Sequence, residues 1–197
     1  MCKQQTRRVV CGKIAVFSCK WLQIVQAHDK LFLSLELNVP VNEIKAMVMG
    51  GHGDTMVPLI RFTKVLGKPL LDLVKEGKIS EERLESINQR TRDGGAEIVK
   101  FLGTGSAFYA PAASGVEMAS AYLRDEKKLL PCAAYLGGEY GIKGLYAGVP
   151  VIIGSKGVEK IEEINLNEKE KKEFINSINA VKKLWKAASE IDVNLSK

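Results

Sequence analysis

Residues 129–164 read LLPCAAYLGGEYGIKGLYAGVPVIIGSKGVEKIEEI, and this stretch decides the fold. Leu129–Tyr135 is a compact apolar run of strand type. It stops at Gly137-Gly138-Glu139-Tyr140-Gly141, which reads as a turn because glycine supplies the dihedrals a reversal needs. Leu145–Ile153 is a second apolar run, and Pro150 within it argues for an edge strand or a bulge, since proline donates nothing to a ladder. Gly154-Ser155-Lys156-Gly157 is too short for anything but a tight turn. Val158–Ile164 then alternates apolar and charged residues, with Val158, Ile161 and Ile164 facing inward, as a half-exposed strand does. Strands joined by short turns are antiparallel, because a parallel pair needs a long crossover.

Working outward, Asn167–Ser189 is an amphipathic helix whose Phe174, Ile178, Val181, Leu184, Trp185 and Ala188 recur at three- and four-residue spacing. Pro111–Asp125 is rich in alanine, serine and glycine, which suits a helix lying close to a neighbour. Ser80–Gly95 reads as a helix that continues through Ala96–Leu102 and breaks at Gly103; Ser80 with Glu81-Glu82 favours its N-terminus. Pro69–Val74 is a shorter helix. Pro58–Val65 is a strand or an irregular piece. Ile44–Met49 is a strand ending at Gly50-Gly51, and Leu31–Leu37 is the end of a helix stopped before Pro40. The fold class is therefore α+β, an antiparallel sheet packed with helices. Residues 1–30 are harder to place: Val9-Val10 and Ile14–Phe17 are candidate short strands, and Trp21–Ala27 has no clear period.

The charge is unevenly distributed. The 197 residues carry a net +6. Lys3, Arg7, Arg8, Lys13, Lys20 and Lys30, opposed by Asp29 alone, put +5 of it in residues 1–30 and leave +1 for residues 31–197. A nearly neutral main body implies no nucleic-acid partner, and the basic segment offers only Phe17 and Trp21 as stacking aromatics. No apolar run reaches membrane-spanning length, so no membrane association is expected. Lys13 and Lys20 interrupt any secretory core, and serine is too scarce in this segment for a transit peptide. Cytoplasmic placement follows, with the mitochondrial matrix as the alternative. Cys2, Cys11, Cys19 and Cys132 form no Cys-x-x-Cys, so the thiols are read as reduced.

The chemistry-bearing residue is His52, in Met49-Gly50-Gly51-His52-Gly53-Asp54-Thr55-Met56. Flanking glycines permit close approach of backbone and ligand, and an imidazole exchanges protons near neutral pH. A turn histidine without chemistry is the plain alternative. His52 with Asp54 supplies two metal ligands and no second cluster, which makes no metal site. Gly103-Thr104-Gly105-Ser106-Ala107-Phe108 follows a helix and lacks the third glycine of a dinucleotide fingerprint, so it cradles no phosphate. It lacks the glycine of a nucleophile elbow as well.

Together these stretches resemble the lactate/malate dehydrogenase family of the lactate-dehydrogenase-like type, malate branch. The resemblance rests on Met49–Pro58 (MGGHGDTMVP), Arg90–Val99 (RTRDGGAEIV), Gly105–Ser114 (GSAFYAPAAS) and Gly148–Gly154 (GVPVIIG), and runs from Leu31 to about Ala188. It implies the C-terminal catalytic domain, with His52 as the catalytic proton donor and acceptor in interconversion of malate and oxaloacetate. Ser106 and Ala107 line the substrate side, NAD is the cofactor, and the protein is a homo-oligomer in carboxylic acid metabolism. It also implies an Asp that orients the histidine and an Arg that pairs with a substrate carboxylate; counted back from Leu31 without gaps, Val25 and His28 occupy those positions. No nucleotide-binding unit precedes residue 31. Residues 1–30 are therefore read as an atypical segment outside the family, residues 31–197 as the domain, and the chain as a fragment inactive on its own. The alternative is a non-enzymatic domain that self-associates or pairs with a full-length homologue.

Overall fold

The computed structural model describes residues 20–51, 55–105 and 108–192. Helix α1 (Lys20–Leu37) is followed by strands β1 (Ile44–Lys45), β2 (Val48–Met49) and β3 (Val57–Pro58). Then come a 3-10 turn (Ile60–Phe62), β4 (Lys64–Val65), β5 (Lys68–Pro69) and α2 (Leu70–Lys75). The long helix α3 (Glu81–Leu102) and α4 (Tyr109–Leu123) precede β6 (Lys128–Gly137), β7 (Lys143–Gly154) and β8 (Gly157–Ile161), and α5 (Glu168–Ile191) follows. Every strand pair is antiparallel, in three small sheets ordered β1-β4-β5, β2-β3 and β6-β7-β8. The α+β reading with antiparallel strands holds.

The 129–164 stretch forms the third sheet. Its inward residues Leu130, Cys132, Leu136, Val149, Val151 and Ile153 are buried with Met118 and Ala121 of α4 and Phe174 and Ile178 of α5, making the largest of three buried clusters among the described residues, the least of them the pair Val48 and Met56. The second joins Phe32 and Leu33 of α1 to Leu84 and Ile87 of α3, with Ile44, Val65, Leu70 and Ile79. Burial of these side chains is the main stabilising term, at roughly 25 cal/mol per Å² of apolar surface.

Several expectations need correction. Pro150 is on no edge: β7 is the central strand, and Pro150 lies directly opposite Pro131. Two facing prolines cost nothing where their nitrogens point away from each other. The Pro150 carbonyl accepts the Glu162 N–H at 2.9 Å on the far side, so its nitrogen also faces away from β6. The register shifts fall elsewhere, between Ile152 and Ile153 against β8 and between Leu136 and Gly137 against β7. β8 stops at Ile161, and Ile164 reaches the core from a loop, its N–H donating to the Tyr140 hydroxyl. The Ile44–Met49 strand is interrupted at Ala46-Met47, because β1 and β2 join different sheets. Pro58–Val65 divides into the end of β3, a 3-10 turn and β4. Leu184 and Trp185, expected on the buried face of α5, are 72% and 47% exposed, since the helix runs past the end of the sheet core. α1, described from Lys20 to Leu37, crosses residues 30/31 without a break, although Trp21–Ala27 shows no period. The candidate strands Val9-Val10 and Ile14–Phe17 lie outside the described residues.

The helix ends follow the chemistry of their caps. The Ser80 hydroxyl accepts the Arg83 N–H at 3.1 Å, and the α3 C-cap Gly103 has φ +70. Asn167 and Glu170 form a reciprocal capping box at α5, each accepting the other's backbone N–H at 2.9 Å. The sequence reading places the start of α5 at Asn167 without identifying that box.

Candidate functional site

The hairpin β2–β3 positions the histidine loop. Val48 pairs with Pro58 and Met49 with Val57, so residues 50–56 close the hairpin. His52, with Gly53 and Asp54, lies outside the described residues; what the structure defines is the frame on either side. Gly50 bridges to Gly148 of β7 through two backbone hydrogen bonds, Gly50 N–H to Gly148 O at 2.9 Å and Gly148 N–H to Gly50 O at 2.8 Å. Gly50 has φ +94, and a Cβ there would sit 2.4 Å from Ser177 Oγ, so glycine is required on both counts. The next residue, Gly51, donates its N–H to Ser177 Oγ at 2.7 Å. A Cβ on Gly51 would lie 3.3 Å from Thr55 Oγ1, so the two ends of the 52–54 segment stand close together. On the other side, the Arg92 guanidinium of α3 donates a long contact of 3.5 Å to the Met56 carbonyl. The loop bearing His52 is thus anchored by β7, α3 and α5.

Ser106 and Ala107 also lie outside the described residues. Their flanks are the end of α3, where Gly103 and Gly105 have φ +70 and +87, and the start of α4. Phe101, Phe108 and Tyr109, at 81%, 62% and 91% exposure, place three exposed aromatic rings at this junction.

Of the two positions of α1 singled out by the resemblance, His28 is placed unlike a substrate clamp. Val25 lies on α1. His28 is buried, 7% exposed, at the α1–α3 contact, its ring stacked on Phe32 with centroids 6.2 Å apart. Gly94 of α3 makes room for it: a Cβ there would lie 2.6 Å from Nδ1. Neither ring nitrogen has a hydrogen-bond partner, nor does the buried Thr91 hydroxyl one turn before Gly94. Burial lowers the His28 pKa against the opposing pull of Glu97, which favours the neutral ring. Beside it Asp29, 3% exposed, is pushed up to about 7 by burial, with Lys30 opposing. Gln26 donates its side-chain amide to the Ala46 carbonyl, tying α1 to the chain between β1 and β2.

The lower end of α5 is held by charge. Glu170 accepts two hydrogen bonds from Arg61, from Nε at 2.8 Å and from the terminal nitrogen at 2.6 Å, and this guanidinium holds its carboxyl below the usual range. Arg61 is on the 3-10 turn just after β3, so the pair links α5 to the same hairpin that carries residues 52–54. Sequence reading missed Ser177 and Glu170 as anchors. The available signal for Ser177 was a serine inside the apolar stripe Phe174, Ile178, Val181. Among the described residues no group of three His, Cys, Asp or Glu could hold a metal, and no helix is long and apolar enough to cross a membrane.

Comparison with known proteins agrees with this architecture. Residues 26–191 match the lactate/malate dehydrogenase alpha/beta C-terminal domain. A malate dehydrogenase of Pelagibacter ubique is 81% identical over 168 residues, covering 85% of this chain and 52% of that protein. The crystal structure of Cryptosporidium parvum malate dehydrogenase superposes with TM-score 0.80 at 44% identity, over 82% of this chain and 51% of that one. Lactate dehydrogenase from Eimeria maxima with NADH and oxamate gives TM-score 0.83 at 38% identity, over 87% and 53%. The chain spans about half the length of the curated relatives it matches. On a domain match over residues 26–191 and 81% identity to a malate dehydrogenase over 168 residues, the chain belongs to the lactate/malate dehydrogenase family, as its alpha/beta C-terminal domain.

Proposed function

We propose that this chain is the substrate-side portion of an NAD-dependent malate dehydrogenase, an oxidoreductase interconverting malate and oxaloacetate, with His52 as its proton donor and acceptor. The observation that carries the reading is the 81% identity to a malate dehydrogenase over 168 residues. The anchored base of the His52 loop supports it further, because a proton-transfer group must be held at hydrogen-bond distance from the oxygen it serves. As an imidazolium, His52 would give its proton to the C2 oxygen as oxaloacetate is reduced; as neutral imidazole it would take the malate hydroxyl proton. Ser106 and Ala107 would line the substrate side. NAD would supply the hydride chemistry. The described residues do not form its phosphate cradle, since every strand pair is antiparallel and that cradle is built at the end of a parallel strand. The part argued for this chain is therefore proton transfer and substrate contact.

The 197-residue chain alone is expected to be inactive. His28 faces Gly94 from a buried interface and prefers to be neutral, so it offers no bidentate cation to a carboxylate. Residues 1–30 are proposed to be the atypical segment and Leu31 the start of the catalytic domain; the family match starts at residue 26, so residues 26–30 are the stretch on which the two bounds differ. The test joins residues 31–197 to the preceding part of the Pelagibacter ubique relative and follows NADH oxidation with oxaloacetate. This chimera should turn over, and His52→Ala should lower kcat by about 10²–10⁴. A chimera that folds without activity, or a His52→Ala loss under tenfold, would overturn the assignment. Joining at residue 20 instead, which keeps Val25 and His28, should abolish turnover.

A second reading is favoured by the exposed Phe101, Phe108 and Tyr109: the chain self-associates as a homo-oligomer or pairs with a full-length homologue through that corner. Size-exclusion chromatography with and without the relative separates a mixed complex from a monomer. Cytoplasmic placement belongs to the same proposal.

A further inference from the structure

We propose that Ser177 is a positioning residue for His52, its hydroxyl oxygen fixing the backbone direction in which the chain enters that histidine. The proposal rests on the reading of His52 as the proton-transfer group.

Ser177 is 1% exposed and lies in the middle of the apolar face of α5, between Phe174 and Val181. A buried hydroxyl needs a partner, and a helical serine has one ready in the carbonyl one turn back on its own helix. Here the oxygen serves a group 126 residues away in sequence, accepting the Gly51 N–H at 2.7 Å. Gly51 is the residue immediately before His52. Its neighbour Gly50 is held by the reciprocal pair of bonds to Gly148. Two consecutive residues thus carry three hydrogen bonds to two different elements, which removes rotation about the base of the loop. The fit is tight on the α5 side as well: a Cβ at Gly50 would meet Ser177 Oγ at 2.4 Å, and one at Gly51 would meet Val181 Cγ2 at 2.9 Å. The backbone lies against the helix as closely as glycine permits. Without the Ser177 hydroxyl, Gly51 N–H loses its acceptor and the chain entering His52 turns on the Gly50 anchor alone. A displacement of about 1 Å at a proton-transfer group costs on the order of 10² in rate.

The test uses the full 197-residue chain and does not need activity. It has only two histidines, His28 and His52, so both imidazole signals resolve by NMR. In the wild type the Gly51 amide should exchange as slowly as those of Gly50 and Gly148. Ser177→Ala should speed Gly51 exchange about tenfold, leave Gly50 and Gly148 protected, and shift the His52 titration while that of His28 stays put. In the active chimera the same variant should lower kcat more than tenfold with KM little changed. A Gly51 amide that exchanges freely in the wild type overturns the proposal, and that measurement stands even if the variant fails to fold. An unchanged Gly51 exchange rate in Ser177→Ala, or a loss confined to KM, overturns it too. Failure of His52→Ala to impair the chimera would instead remove the functional reading and leave the hydrogen bond intact.

Discussion

Glu170→Ala should destabilise the protein by about 2–3 kcal/mol, although a glutamate near a helix start is ordinarily replaceable. Its carboxylate accepts two hydrogen bonds from Arg61 and, through Oε2, the Asn167 N–H at 2.9 Å. The side chain of Glu170 is 11% exposed and that of Arg61 38%, so the carboxylate is the buried partner and the guanidinium can rehydrate when released. Arg61 also keeps its bond to the Asn165 carbonyl at 2.8 Å. A part-buried bidentate pair is worth about 1–2 kcal/mol, and its half of the capping box about 1 kcal/mol more. For a chain of this size that lowers Tm by roughly 4–12 °C. The sign with pH follows from the carboxyl being held below its ordinary 4.5 by the Arg61 hydrogen bonds. The contribution is complete above the unfolded value and is lost as pH falls through the lower folded one. The gap between wild type and variant should therefore be constant from neutrality to about pH 5 and narrow below about pH 4. Thermal melts by circular dichroism across that range measure it. A Tm change under about 2 °C at pH 7, or a gap undiminished at pH 3, would refute the reasoning.

Two adjacent glycines of α3 should respond with opposite signs to the same change. Gly95→Ala meets open space and should stabilise by about 0.5–1 kcal/mol through helix propensity, whereas Gly94→Ala drives a methyl to 2.6 Å from His28 Nδ1 and should destabilise by about 1–3 kcal/mol in urea melts. Equal effects at the two positions would mean His28 does not occupy that contact. Asp29 offers a pH test. Its folded pKa of about 7 lies above the unfolded 3.8, so its favourable contribution is present at low pH and lost as pH rises from about 4 to about 7. Asp29→Asn should accordingly gain on the wild type by up to a few kcal/mol over that interval, and a difference flat with pH would contradict the burial argument.

Local chemistry made much of this fold legible. The β6–β7–β8 meander was readable because glycine turns of a few residues leave antiparallel pairing as the only option, and α5 because its apolar residues repeat at helical spacing from Asn167. His52 stood out through its glycine neighbours and through motifs in family order. The same local rules failed at α1: Trp21–Ala27 has no period to read, yet it continues the helix whose later residues Phe32 and Leu33 pack on Leu84 and Ile87. They failed at Pro150, where the cost of a missing N–H depends on which way the nitrogen points, and a partner strand decides that. They also failed at Leu184 and Trp185, because periodicity marks an apolar face but not how far the core beneath it extends.

By itself the sequence determined the β6–β7–β8 meander, the amphipathic α5, the antiparallel sense of the sheets, the place of the histidine motif in the chain and the family, all of which rest on neighbours within a few residues or on motifs read in order. Only the tertiary structure decided what holds that loop and what became of His28. Gly51 meets Ser177 across 126 residues, and His28 finds its place against Gly94 because α1 and α3 pack where one residue lacks a side chain. Hydrogen bonds and steric contacts of that range leave no period or spacing in the chain, since they depend on where whole elements come to rest and not on the residues beside them.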